Sequence, residues 1–221
     1  MMNLSCTGVQ ASPVKRGVAK QTIEVISWLK KQTLALSGEA LELILKGCQN
    51  NIEHHKEALY RSFYGYLKGV VIRYVSDVHF AEELVNDSFI KIFNNISTFN
   101  ALGQAGDITA SFKAWGAKIA SRTAIDYLRR KRIDFSRDEV TDVQVASINY
   151  TDVHSSEAKD ILKLLNELPQ TQKAIFNLYE IEGFTHQEIS GLLKIPENVS
   201  RSYLSRAKTK LKALYSENFN A

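Results

Sequence analysis

The hydrophobic residues of this chain recur every three or four positions over most of its length. In residues 57–74 they are Leu59, Phe63, Tyr66, Leu67, Val70, Val71 and Tyr74. Such spacing places apolar side chains on one face of a helix, so it predicts an amphipathic helix here. Comparable patterns predict further helices at about 38–50, 79–96 and 111–132.

The C-terminal part of the chain is predicted to contain shorter helices joined by short turns, at 157–167, 169–182, 185–194 and 196–215. Thr185 is followed three residues later by Glu188, which is the pattern of a capping box at a helix start. Pro196 suits the first position of the last helix, where its missing N–H is not needed.

Residues 133–156 are polar and acidic and lack helical periodicity, so they are expected to be a flexible tether. They would join a domain at 38–132 to a second domain at 157–215. We therefore predict an all-α protein of two small helical domains, the second a helix-turn-helix. For residues 1–37 a basic arm, a short amphipathic helix and a frayed, disordered extension stay open. Residues 216–221 would form a short tail.

The composition supports a folded helical protein. The chain has 221 residues, of which 44% are hydrophobic and 24% charged, and its few prolines fall at predicted helix boundaries. Its two cysteines, Cys6 and Cys48, form no CxxC pair, so disulfides and structural zinc are not expected. No stretch approaches the roughly 20 apolar residues of a membrane span. We expect a cytoplasmic protein without membrane insertion.

Catalytic motifs are missing from the sequence. Carboxylates lie near imidazoles at His79–Glu83 and Glu53–His55, but these fragments are not the paired Glu-x-x-His motifs of a metal-binding bundle. There is no phosphate-binding loop, nucleophile elbow or dinucleotide fingerprint. We expect no catalytic residue, no metal and no cofactor.

The charges are sorted along the chain, although the net charge is only +4. Residues 129–132 form a basic block, and residues 197–215 hold five basic residues against one acidic residue. Residues 133–160, in contrast, hold seven acidic residues against two basic ones. Basic blocks can be ordinary solvated surface, and they indicate nucleic-acid binding only on a suitable fold.

The segment 185–215 predicts such a fold. A capped helix, a short turn and a longer basic helix make a helix-turn-helix, whose second helix enters the major groove. Its predicted core consists of Ile189, Leu192, Leu193, Val199, Leu204 and Leu211. The side chains left to face outward are Asn198, Arg201, Ser202, Ser205 and Arg206. Arginine and serine can both bond to base edges.

Two segments of the chain are similar to a known family. The stretch NELPQTQKAIFNLYEIEGFTHQEISGLLKIPENVSRSYLSRAKTKLKAL resembles the minus-35-binding domain of bacterial RNA polymerase sigma factors of the extracytoplasmic-function group. Independently, AEELVNDSFIKIFNNISTF and SFKAWGAKIASRTAIDYLRRKRI resemble the core-binding and minus-10-binding domain of that family. The resemblance covers about 41–132 and 157–215, in the order of the family.

The resemblance implies where the binding sites lie. Asp87, Ile90, Lys91 and Asn94 match the helix face that docks on a coiled coil of the largest subunit of core RNA polymerase. The loop 98–110 matches the loop that captures a flipped minus-10 base. Residues 115–132 match the helix beside the melting strand. Trp115 in that helix is expected to be a core residue rather than a stacking residue, because it shares the helical spacing of its apolar neighbours.

Promoter DNA is the second implied partner. The implied minus-35 contacts are Arg201, Ser202, Ser205 and Arg206, with Asn198 beside them. Lys208 and Lys210 are expected to meet phosphates. Arg129, Arg130 and Arg132, at the end of the N-terminal domain, are expected to bind DNA as well. Many relatives are held by an anti-sigma factor, but nothing in this sequence identifies one, so that partner stays open.

Two other functions remain compatible with the residues alone. A conventional helix-turn-helix transcription regulator would use its N-terminal helices for dimerisation or ligand binding. A helical interaction protein would bind no DNA. Co-purification with core polymerase separates a sigma factor from both alternatives.

Overall fold

The computed structural model describes residues 36–99, 107–131, 135 and 162–219. Most of these residues lie in helices, and no strand occurs among them. The all-α prediction is therefore confirmed. Within the same residues, no helix is long and apolar enough to cross a membrane.

The N-terminal unit is built from four α-helices and a short 3₁₀ turn. They are α1 (Gly38–Gln49), α2 (Glu53–Val71), α3 (Val78–Asn94), the 3₁₀ turn Ile96–Thr98, and α4 (Ile108–Arg130). Helices α2, α3 and α4 pack against one another, and α1 packs on α2 and α4. Fully buried apolar side chains such as Phe63, Ile92, Phe112 and Ile125 fill the space between them. This core is made by the stripes that the helical spacing predicted.

Helix α4 begins three residues earlier than predicted. Its N-cap is Asp107, whose carboxylate accepts a hydrogen bond from the Thr109 backbone N–H at 2.8 Å. An aspartate in this role supplies a partner to a backbone donor that the helix itself leaves unpaired. The prediction that the loop extends to residue 110 is therefore wrong at its C-terminal end.

The C-terminal unit starts with a helical segment at 162–166. It continues with α5 (Gln170–Phe176), a π-helical turn (Asn177–Ile181), α6 (His186–Leu193) and α7 (Glu197–Phe219). Helix α7 extends four residues beyond the predicted end at 215. Pro196 lies directly before α7 and not at its first position as predicted, and its carbonyl accepts hydrogen bonds from the Val199 and Ser200 N–H groups.

Part of the predicted tether is packed rather than free. Phe135 is the residue of 133–156 that the structure describes, and its side chain is only 3% exposed. The prediction of a polar tether is therefore wrong at this position, because a buried aromatic side chain anchors the chain shortly after α4. The remainder of the tether, residues 1–35 and Arg132 lie outside the described residues.

Candidate nucleic-acid interface

Helix α6, the first helix of the helix-turn-helix, begins with local capping hydrogen bonds. The Thr185 hydroxyl accepts from the Glu188 N–H at 3.2 Å, and the Glu188 carboxylate accepts from the Thr185 N–H at 2.8 Å. The predicted capping box is thus confirmed. The Thr185 backbone N–H, its hydroxyl and nearby cations lower the pKa of the Glu188 carboxyl, so the box is complete at neutral pH.

The turn itself uses a left-handed residue. Lys194 ends α6 with φ of 58°, and the Ser190 hydroxyl donates to the Ile195 carbonyl at 2.6 Å. A left-handed residue lets the chain leave the helix sharply. Helix α7 can therefore begin only three residues later and pack across α6.

The packing between α6 and α7 matches the predicted core. Ile189, Leu193 and Leu204 are buried, and Leu192, Val199 and Leu211 are partly buried against the same cluster. His186 adds a polar contact: its ring stacks on Tyr179 at 4.4 Å between centroids, and its Nδ1 lies 2.9 Å from the Ser200 hydroxyl. Burial and the nearby Arg201 cation lower the pKa of His186, so its neutral form is favoured.

The outward face of α7 is polar. Asn198, Ser202 and Ser205 are exposed and lie on the side opposite the buried Ala207. An α-helix turns about 100° per residue, so Thr209 falls on the same face as these three. Thr209 was not among the predicted contact residues, although its spacing of four from Ser205 could have indicated it. The structure therefore extends the predicted row of polar side chains by one turn.

The two arginines of this helix border that face on opposite sides. They are five residues apart and hence about 140° apart around the helix. Arg201 pairs with Glu197 one turn earlier, whereas the Arg206 guanidinium lies 5.5 Å from the Tyr203 ring centroid. Both side chains are exposed. They can therefore reach different parts of a bound groove.

The lysines are also divided between two sides. Lys208 is exposed and its Nζ lies 2.5 Å from the Glu180 carboxylate, while Lys210 is half-buried on the side of Arg206. Around the helix the two lysines are about 160° apart. Their side chains therefore lie on different sides of α7, which their positions two residues apart do not make obvious.

The predicted polymerase face is exposed on α3. Asp87, Ile90, Lys91 and Asn94 are all exposed, and Ile90 is 58% exposed. Lys91 Nζ donates to the Thr123 hydroxyl at 3.0 Å, which ties this face to α4. Single exposed aliphatic side chains are common on protein surfaces, so the exposure of Ile90 is compatible with docking without being specific to it.

The structure brings this face next to the basic end of α4. A groove between the two helices is lined by Asp87, Ile90, Lys91, Asp126, Arg129 and Arg130. Arg129 lies 3.7 Å from the Asp126 carboxylate, and both side chains are largely exposed. The predicted polymerase-binding and DNA-binding residues therefore adjoin, which spacing along the chain does not indicate.

The aromatic residues near the predicted base-capturing loop are packed on one another. Trp115 lies 5.2 Å from the Phe99 ring and 5.8 Å from the Phe112 ring, between centroids, and is half-buried. This packing agrees with the expectation that Trp115 is a core residue. Residues 100–106 of the loop lie outside the described residues. Over the ranges that the structure covers, no cluster of His, Cys, Asp or Glu could hold a metal ion.

Comparison with known proteins places both units in one family. Residues 59–133 match the model of sigma-70 region 2, and residues 158–211 match that of sigma-70 region 4. The ECF RNA polymerase sigma factor SigM of Bacillus subtilis (strain 168) is 25% identical over 167 residues, which cover 74% of this chain and 97% of SigM. SigW of the same organism is 25% identical over 173 residues, covering 73% of this chain and 84% of SigW. The chain belongs to the extracytoplasmic-function group of the sigma-70 family of RNA polymerase sigma factors.

Proposed function

We propose that this protein binds core RNA polymerase and directs it to promoters by using its two units on two DNA elements. A sigma factor acts in transcription initiation without being an enzyme. The observation that carries the proposal is the polar outward face of α7, presented by a capped helix-turn-helix in a chain that matches sigma regions 2 and 4.

The C-terminal unit is proposed to bind minus-35 duplex. Helix α7 would enter the major groove with Asn198, Ser202 and Ser205 toward the bases. Arg201 and Arg206 flank this row, and at least one of them would donate two hydrogen bonds to a guanine. Lys208 and Lys210 would contact phosphates and position the helix.

The N-terminal unit is proposed to bind polymerase and the melted minus-10 element. Ile90 would enter an apolar site on the polymerase while Asp87, Lys91 and Asn94 make polar contacts around it. Arg129, Arg130 and Arg132 would hold the backbone of the opened strand, and the loop between the 3₁₀ turn and α4 would receive a flipped base. Capturing a base offsets part of the energy lost when it leaves the stack.

Both proposed contacts require the protein to work where the polymerase does, in the cytoplasm. The rival assignment, a regulator with an N-terminal dimerisation or ligand domain, does not account for the match of residues 59–133 to sigma region 2. An anti-sigma partner has no supporting observation and is not proposed.

The proposal is tested by assembling the complex from purified parts. Core polymerase, the full-length protein and a promoter-containing fragment are mixed, and DNA protection is mapped at base resolution. We expect the protein to co-elute with core polymerase and to add protection at two sites centred near −35 and −10. Protection that spreads evenly over the fragment, or a protein that elutes apart from core polymerase, would contradict the proposal.

A further inference from the structure

Helix α7 begins with a carboxylate that is paired with an arginine. Glu197 is the first residue of α7, and its carboxylate pairs with the Arg201 guanidinium one turn later. Residues 197–215 otherwise carry only basic charges. In a helix-turn-helix, the N-terminal residues of the second helix contact the base edges. A negative charge at that end opposes binding to the phosphate backbone, which makes the position of Glu197 informative.

The stability of the free protein does not account for this ion pair. Both side chains are exposed, with 63% of Arg201 and 43% of Glu197 accessible to solvent. Exposed ion pairs contribute little to the free energy of folding. The helix dipole favours a carboxylate in the first turn, but that interaction requires no arginine partner. The pairing itself is therefore the feature that bears on DNA binding.

A second ion pair lies on the same side of α7. An α-helix turns about 100° per residue, so Glu197, Arg201 and Lys208 fall within about 40° of one another around the axis. Lys208 is held by Glu180 of the π-helical turn, with 2.5 Å between its Nζ and a carboxylate oxygen. All four charges act on the pKa of His186, so its ring lies near both pairs. The carboxylates compensate the two cations in the free protein.

The Arg201 guanidinium can serve a carboxylate and a base at once. An arginine presents several N–H donors in a planar fork. A guanine takes two of them through its O6 and N7 atoms, which leaves others for Glu197. Because Glu197 precedes Arg201 by one turn, its carboxylate holds the guanidinium toward the N-terminal end of α7. The guanidinium is thus held at the end of the helix that contacts the bases.

Pairing with Glu197 also prepares the arginine for one kind of base pair. Immobilising a long side chain at an interface lowers affinity, and a side chain that is already held loses less freedom on binding. A guanine in the matching position supplies both acceptors to the held guanidinium. Other base pairs do not supply both acceptors there, and the Glu197 carboxylate then lies close to the DNA without compensation. The ion pair therefore favours one base pair over the others.

We propose that Glu197 determines base specificity in minus-35 binding by positioning Arg201 for one guanine. Glu197 is a positioning residue, because it acts through the Arg201 guanidinium and makes no base contact of its own. Glu180 has a different effect: it holds Lys208, whose charge reaches a phosphate only after that ion pair opens. The first pair sets which sequence is bound, and the second sets how strongly any sequence is bound. This role of Glu197 rests on the proposed function, because it concerns the same surface of α7.

A library of duplexes with a randomised segment tests this role in the full-length protein. Sequencing of the bound and free pools gives the relative affinity for each base at each position. Binding is measured with and without core polymerase, over a series of salt concentrations. The variants are Glu197→Gln, Arg201→Ala, the double variant Glu197→Gln/Arg201→Ala, and Glu180→Gln.

Glu57→Gln on α2 is the matched control. The Glu57 carboxylate pairs with Arg61 one turn later, and both side chains are exposed. The substitution makes the same change of charge in the same kind of ion pair, away from α7. Circular dichroism and urea unfolding verify that each variant keeps its helices and its stability.

Arg201→Ala should lower the preference for guanine at one base pair by about 5- to 150-fold. Glu197→Gln should lower the preference at the same base pair by about two- to fivefold, the size of effect of an exposed ion pair. In the Arg201→Ala background, Glu197→Gln should leave base preference unchanged, because no guanidinium remains to be positioned. Glu180→Gln should raise affinity for all sequences alike and steepen the salt slope by about one. Glu57→Gln should bind as the parent does.

Three results would overturn the role of Glu197: an unchanged base preference in Glu197→Gln, an equal loss when Arg201 is already alanine, or the same loss in Glu57→Gln. The second result would mean that the carboxylate acts on DNA or on the helix without the arginine. A parent that selects one sequence but does not bind core polymerase would contradict the proposed function and leave the role of Glu197 standing. A parent that prefers no sequence in either condition would refute both.

Discussion

Ile90 offers a direct test of the proposed polymerase contact. Its side chain is 58% exposed on α3 and belongs to no buried cluster of the described residues. Ile90→Ala removes most of the apolar surface and retains a good helix former. Because the position is exposed, the free energy of unfolding should change by no more than about 0.5 kcal/mol.

The expected loss of affinity follows from the exposed fraction. Burying a whole isoleucine side chain contributes about 1.5–3 kcal/mol, so the 58% still exposed could contribute about 0.9–1.7 kcal/mol on docking. At about 1.4 kcal/mol per tenfold change, Ile90→Ala should raise the dissociation constant for core polymerase by about 4- to 16-fold. Ile90→Glu should raise it further, because a carboxylate would enter an apolar site.

The matched control is Leu43 on α1, another aliphatic side chain that is exposed, at 64%. Leu43→Ala and Leu43→Glu make the same chemical changes away from the proposed face. Dissociation constants are measured by fluorescence anisotropy with labelled full-length protein and core polymerase. If the Ile90 and Leu43 variants bind core polymerase equally well, the proposed contact is refuted. Ile90 would then contribute no more to binding than an exposed leucine on another helix.

Four further substitutions test other features of the protein. Burial lowers the pKa of Lys173 from 10.5 to about 8, so the folded protein releases this proton at a lower pH than the unfolded chain does. The free energy of unfolding therefore increases as the pH rises from about 8 to 10.5. Relative to Lys173→Met, the parent's free energy of unfolding in urea should therefore rise by about 2–3 kcal/mol between pH 7 and pH 10. Thr185→Ala removes the hydroxyl of the capping box and should lower the free energy of unfolding by about 0.5–2 kcal/mol. Arg206→Ala should weaken binding to a matched minus-35 duplex by about 1–3 kcal/mol and relax preference at one base pair. Lys210→Ala should weaken all duplexes alike and reduce the salt slope by about one.

Three results would contradict expectations of this set. Parallel pH profiles of the parent and Lys173→Met would mean that the ammonium is not desolvated. If Thr185→Ala leaves the free energy of unfolding unchanged, the capping box does not stabilise the C-terminal unit. If Arg206→Ala and Arg201→Ala both keep full sequence preference, α7 binds DNA without base contacts from either arginine.

The helices were predictable because their apolar residues follow the helical period closely. The capping box was equally visible, since Thr185 and Glu188 lie three residues apart and need no distant partner. Exposure of Ile90 also followed from periodicity, because this residue falls outside the buried stripe of α3. These features depend on neighbours within one or two turns of the chain.

The contact between the units was not predictable in the same way. Arg73 and Glu182, whose buried side chains form an ion pair between the units, are 109 residues apart, and each stands in the sequence as an ordinary polar residue at the end of a helix. The spacing of apolar residues along the chain does not indicate that these two side chains are buried. The same limit applies to Phe135, whose polar and acidic neighbours indicated a tether although its own side chain is packed.

Promoter-directed transcription is the central claim, and run-off transcription measures it directly. Core polymerase is incubated with genomic fragments and nucleotides, with and without the full-length protein, and the 5′ ends of the transcripts are mapped. The account predicts transcripts with defined starts that require the protein and share sequence near −35 and −10. Transcripts that are the same with and without the protein would contradict it.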